Sequence, residues 1–159
     1  MKTFTLSKTE TSGLIETMGA LWPPESLPKV KSIKVYEIED GCRFLVVDDS
    51  VTAVQISEKI LPFIGAKPEL LDLFPSVTVD MGAVKFVCNG AKVMRPGIIA
   101  FGSFKQGDIV VVKDQSHGKT LAVGIALEDS ESAKSMTKGY VVENLHYISD
   151  KIWEASKQI

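Results

Sequence analysis

Residues 81–97, MGAVKFVCNGAKVMRPG, constrain the fold more than any other stretch of the chain. Asp80 stands just before them, where a carboxylate can accept from the free N–H groups of a helix's first turn. Ala83, Val84, Phe86, Val87 and Ala91 recur at near-helical spacing, which predicts a short helix with one buried face. Lys85 and Asn89 lie four apart and share a face away from Phe86 and Val87. Gly90 supplies the left-handed residue that ends helices. A brief strand follows, and Pro96-Gly97 predicts a tight turn into a strand over 98–101. The expected product is a glycine-lined surface that lets backbone approach a ligand, with Lys85, Lys92 and Arg95 nearby. A sugar-phosphate backbone suits such a surface.

The rest of the C-terminal half reads as short strands with glycine turns: 98–101, 109–113, 120–127 and 140–147. Residues 115–119 (QSHGK) form a polar hairpin loop, and 130–135 a short helix. Asp150 is an N-cap candidate for a last helix that buries Ile152 and Trp153. Short, evenly spaced strands of this kind point to a small barrel.

The N-terminal part has a different grammar. Phe4 and Leu6 alternate with threonines as in an edge strand, and Ser7 and Glu10 have capping-box spacing. Leu14, Ile15, Met18 and Leu21 recur at helical intervals up to Trp22, and Pro23-Pro24 stops that helix. A strand over 29–39 meets the hairpin signal Asp40-Gly41, then a strand over 43–47. Residues 48–50 turn into a third strand over 51–56. Residues 57–64 and 68–74 read as short helices separated by Gly65, and Pro75 marks a boundary. The expectation is an α+β domain over 1–75 followed by a mainly-β domain over 76–159.

Composition limits the chemistry. The net charge is −2; residues 1–75 carry 8 Lys and Arg against 11 Asp and Glu, and residues 76–159 carry 10 against 9. A nucleic-acid site must therefore be a local patch rather than a whole-surface field. Cys42 and Cys88, the two cysteines, have no metal-ligand spacing, and His117 and His146 are isolated. His117 reads as a solvated turn residue and His146 as a hydrogen-bonding group inside the fold. Asp48 and Asp49 are adjacent, so they make no natural acid/base pair. No GxSxG elbow, Walker loop or dinucleotide fingerprint occurs. The expectation is a protein with no catalytic residues, no metal and no cofactor. No apolar run reaches membrane-spanning length, and the N-terminus lacks a signal-peptide centre, so a cytoplasmic location away from membranes is expected.

Residues 80–97 resemble the signature of the PUA domain, an RNA-binding module. Further resemblances follow in order: Lys105-Gln106-Gly107-Asp108-Ile109-Val110, then Leu121-Ala122-Val123-Gly124-Ile125-Ala126. Residues 138–153 (KGYVVENLHYISDKIW) resemble a C-terminal stretch of one branch, that of the malignant T-cell amplified and ligatin-like proteins with their archaeal counterparts. The resemblance implies an archaeal-type member whose second half is a PUA pseudobarrel with short helices. It also implies RNA binding through Lys85, Gly90, Ala91, Lys92, Arg95, Pro96, Gly97, Lys138, Gly139 and Tyr140. Gly82 and Gly124 are expected to serve packing. The implied partner is structured RNA, either tRNA or small-subunit rRNA, during initiation or ribosome recycling. A separate translation-factor protein is a further implied partner. An accessory subunit for an RNA-modifying enzyme is the alternative, and a small-ligand binder or an enzyme with an unrecognised site ranks below both.

Overall fold

The N-terminal helix forms as its capping pair predicts. The computed structural model describes residues 1–27 and 29–159. Strand β1 (Lys2–Thr5) leads into helix α1 (Lys8–Gly19). The Ser7 side chain accepts from the Glu10 N–H at 3.0 Å, and the Glu10 carboxylate accepts from the Ser7 N–H at 2.9 Å. Strands β2 (Ile33–Glu39), β3 (Cys42–Val47), β4 (Ser50–Ile56) and β5 (Lys59–Pro62) complete an antiparallel sheet in the order β1-β2-β3-β4-β5. Gly41 turns the first hairpin at φ +76, and Asp48 and Asp49 turn the second at φ +46 and +69. The Asp48 carboxylate accepts from the N–H groups of Lys31 and Ser32, so it ties down the approach to β2.

Two expectations fail in this half. Residues 57–64 are not a helix. Ser57, at φ +56, donates its N–H to the Gly41 carbonyl, and β5 pairs back onto β4 with Ile56 opposite Lys59. A short apolar run does not distinguish a buried strand from a buried helix by periodicity, and here the free edge of β4 decides. The helix expected over 68–74 is the single turn α2 (Pro68–Leu71).

Contacts along the chain cluster into two compact units, Met1–Leu73 and Phe74–Ile159. The second unit begins with β6 (Ser76–Val79), which sequence reading did not mark as a strand, and α3 (Met81–Val87). Then come β7 (Val93–Met94), a single 3-10 turn over Arg95–Gly97, and β8 (Ile98–Phe101). β9 (Ile109–Asp114) and β10 (Thr120–Ala126) form a hairpin; α4 (Ser130–Ser135), β11 (Tyr140–Tyr147) and α5 (Lys151–Ser156) follow. The sheet runs β7-β11-β10-β9-β6-β8, antiparallel except for the parallel pair β6 and β9. This is a mainly-β pseudobarrel with short helices. Val77, Val79, Val110, Val112, Ala122, Val141 and Val142 fill its core, and each valine contributes ~1.5–3 kcal/mol by leaving water.

Gly124 sits at a bulge in the β10–β11 pairing, and a Cβ there would collide with the Glu143 carbonyl oxygen. Its packing role is thus met. His146 is fully buried, with Nδ1 2.8 Å from Asp150 Oδ2, as its apolar strand position predicts. Asp150 also accepts from the N–H groups of Trp153 and Tyr147, capping α5. Burial pushes the Asp150 carboxyl up. Its hydrogen bond to His146, the charge attraction of that ring and the two N–H bonds outweigh burial and hold it below its ordinary value. His117 is solvent-exposed. Among the described residues, no helix is long and apolar enough to cross a membrane.

Candidate nucleic-acid interface

A groove of about 420 Å³ opens beside α3 in the second unit. One wall is α3 itself. Asp80 caps it, accepting from the Ala83 N–H at 2.9 Å, while the Asp80 N–H donates to the Gly97 carbonyl at 2.9 Å. One residue thus starts the helix and fixes the opposing turn. The other wall is Met94, Pro96 and Gly97, with Ala91 and Lys92 closing one side. A Cβ on Gly97 would lie 3.0 Å from the Ala83 Cβ, so the turn approaches the helix closely only because residue 97 is glycine.

The groove's rim is unusually apolar for exposed surface. Phe86 is 56% exposed and Met94 49%, and Tyr140, paired with Met94, is 52% exposed. Contiguous exposed apolar surface of this kind marks interaction sites. The aromatic faces carry cations: Lys85 Nζ lies 5.2 Å from the Phe86 ring centroid, and Lys92 Nζ lies 5.2 Å from that of Tyr140. Tyr140 pairs with Met94 across the sheet, which brings its ring to this side.

The sequence-derived residues fall into three groups. Ala91, Lys92, Pro96 and Gly97 line the groove. Lys85 and Tyr140 stand beside it through the contacts just given. Gly90, Arg95, Gly139 and the exposed Lys138 do not line it. Gly90, at φ +90, lies against the Tyr147 ring, where a Cβ would come within 3.0 Å. Gly139, at φ +106, offers its carbonyl to the Arg95 N–H at 2.8 Å.

Arg95, expected among the cations beside the groove, has its guanidinium engaged within the fold. Its Nη1 donates to the Ile98 carbonyl at 3.1 Å and its Nη2 to the Lys134 carbonyl at 3.4 Å. Its guanidinium lies 5.0 Å from the Phe101 ring centroid. The side chain ties the Arg95–Gly97 turn to β8 and to the end of α4.

Phe86 departs in the opposite sense. The spacing assigned it to the buried face of α3, yet Val84, Val87 and Cys88 hold that face and Phe86 turns outward. A seven-residue helix covers little core, so only its most inward positions are buried. Gly82 likewise lines the groove instead of packing. Met94 and Phe86 are the site residues that sequence reasoning missed. The available signal was an aromatic on a helix too short to bury it. Among the described residues, no cluster of three or more His, Cys, Asp or Glu is placed to hold a metal ion.

The PUA-domain profile matches residues 75–148, the segment that builds this groove and its barrel. The chain is 38% identical over 130 residues to an uncharacterized protein of Methanocaldococcus jannaschii, covering 81% of this chain and 80% of that one. It is 31% identical over 139 residues to translation machinery-associated protein 20 of Saccharomyces cerevisiae, covering 83% and 77%. The chain belongs to the PUA-domain family. Its branch is that of the malignant T-cell-amplified and translation machinery-associated proteins; human malignant T-cell-amplified sequence 2 is 27% identical over 149 residues, covering 89% and 82%. The crystal structure of a hypothetical protein from Pyrococcus horikoshii superposes with a TM-score of 0.82 at 31% identity, over 97% of this chain and 99% of that one. In the PUA unit, the groove therefore belongs to the part that the family profile recognises.

Proposed function

We propose that this chain is a non-catalytic RNA-binding protein of the translation apparatus, and that the α3 groove is where it holds RNA. The observation that carries the reading is the pairing of exposed aromatics with lysines around an apolar groove. Phe86 and Tyr140 offer stacking faces, and Lys85 and Lys92 offer charge within reach of the same ligand. Stacking of an unpaired base on an aromatic contributes ~1–3 kcal/mol, and phosphate contacts add a salt-dependent share. The name of the yeast relative supports placement in translation. The RNA is tRNA or small-subunit rRNA, bound during initiation or recycling in the cytoplasm, with a separate translation-factor protein as a further partner. In this reading residues 1–75 form a domain of their own that precedes the PUA domain at 76–159.

Titration of labelled bulk tRNA and of small-subunit rRNA against the wild type and Lys92→Ala tests the site. The expected result is weaker binding with a log–log salt slope shallower by about 1, the signature of one lost phosphate contact. Equal affinities and slopes on both RNAs would remove the groove from consideration as the RNA site.

A further inference from the structure

Asn144 lies on β11, opposite Gly124 of β10, far along the chain from the groove residues it touches. Its Nδ2 donates to the Val87 carbonyl at 2.9 Å and to the Ala91 carbonyl at 3.1 Å. The first acceptor lies at the end of α3, and the second precedes Lys92. Between them the chain passes through Gly90, which packs on the Tyr147 ring of the same strand. β11 therefore grips both ends of the 87–91 segment with one amide group and supports its middle with one ring.

The amide's orientation is fixed by chemistry. Nδ2 carries two N–H donors, and both acceptors are carbonyl oxygens. A flipped amide would set its oxygen against two oxygens. Oδ1 is buried and has no hydrogen-bond partner among the described residues. Leaving that oxygen unsatisfied is unfavourable, so the paired donors must offset it. Aspartate matches the shape at this position but has no N–H to give.

We propose that Asn144 is a positioning residue for the groove, holding the segment that carries Ala91 and Lys92 at the distance an RNA ligand requires. The inference rests on the reading of the groove as the RNA site. A carboxylate in place of the amide would face two carbonyl oxygens and push the segment away. Partial burial and those two dipoles favour its protonated form, which regains one donor. The variant Asn144→Asp thus acquires a pH dependence that the parent lacks. The ionisable groups around the segment are Cys88 on it, Lys92 just after it, Lys85 on α3 and Tyr147 on β11, with Asp114 and Lys119 of the β9–β10 hairpin acting on Cys88. His146 lies farther along β11, hydrogen-bonded to Asp150 at the start of α5. All are present in the parent, which isolates the effect of position 144.

The test uses the full chain carrying Cys42→Ser, so that Cys88 is the single thiol, and compares Asn144→Asp and Asn144→Ala with that parent. Cys88 follows α3 directly and reports the segment's position independently of RNA; its thiol is held protonated by burial and by the Asp114 charge, with Lys119 partly opposing. Bulk tRNA binding is titrated between pH 5.5 and 8.5, and thiol labelling with Ellman's reagent is timed at pH 8. For Asn144→Asp the expectation is faster labelling and a tRNA Kd raised about tenfold at pH 8, equivalent to ~1.4 kcal/mol, with most of the loss recovered at pH 5.5. Asn144→Ala should lose affinity without the pH recovery. Parental labelling rates and affinities at every pH in both variants would overturn the proposal. Faster labelling with unchanged tRNA binding would leave the clamp standing and overturn the RNA reading of the groove.

Discussion

Replacing Arg95 by lysine separates two roles that a cation beside a binding groove can have. If Arg95 contacted phosphate, lysine would keep much of the effect, because the charge survives. If it is a strut, lysine loses the planar fork that reaches two carbonyls at once. The magnitude follows from the geometry. The 3.1 Å bond to the Ile98 carbonyl is charge-assisted and contributes ~1.5–3 kcal/mol, while the 3.4 Å bond to the Lys134 carbonyl is long and weak. The Phe101 contact adds ~0.5–1 kcal/mol, part of which lysine retains. Nε is buried without a hydrogen-bond partner among the described residues, which subtracts from the total. A net loss of about 2 kcal/mol is expected, a fall in Tm of about 4–8 °C for a chain of this size. Differential scanning calorimetry measures the loss, and tRNA titration well below Tm should give a Kd within about threefold of wild type, under ~0.7 kcal/mol. An unchanged Tm with a tenfold weaker Kd would refute the strut and return Arg95 to the ligand-contacting set.

Other consequences are as direct. Gly124→Ala should leave little folded protein, because a Cβ has no place against the Glu143 backbone; a near-native circular dichroism melt would refute that packing. Asp150 has a folded pKa below its ordinary value of 3.8, so its stabilising contribution is present above about pH 4 and is lost as pH falls through the lower folded value. Acid titration of Asp150→Asn should show a flatter loss of stability in that window than wild type. Parallel curves would mean that folding does not hold the Asp150 carboxyl below its ordinary value.

Local signals were the most legible. Ser7 and Glu10, Asp80, Asp150, Asp40-Gly41 and the strands near 98, 109, 120 and 140 follow from caps, turns and alternation that act within a few residues. Each matches because the physics that fixes it is local. The misses depend on distant partners. Ile60 and Leu61 form a strand because β4 offers an edge, and β6 forms because β9 lies parallel to it. Within the groove, glycine and proline positions were readable, since close approach demands them. The duties of Arg95 and Phe86 were not, because charge and apolarity name a residue's chemistry without saying which way the side chain turns.

The two bonds from Asn144 reach back across 57 and 53 positions of sequence. During synthesis, every residue that lines the groove emerges well before the strand that grips it. Helix α3 and the Arg95–Gly97 turn can form early, but the spacing between them and the 87–91 segment is set only when β11 docks. The groove is thus a late product of folding, completed by the same strand that brings Tyr140 to its side. A nascent chain short of Asn144 would display Phe86 and Met94 before the surface they belong to has its final shape.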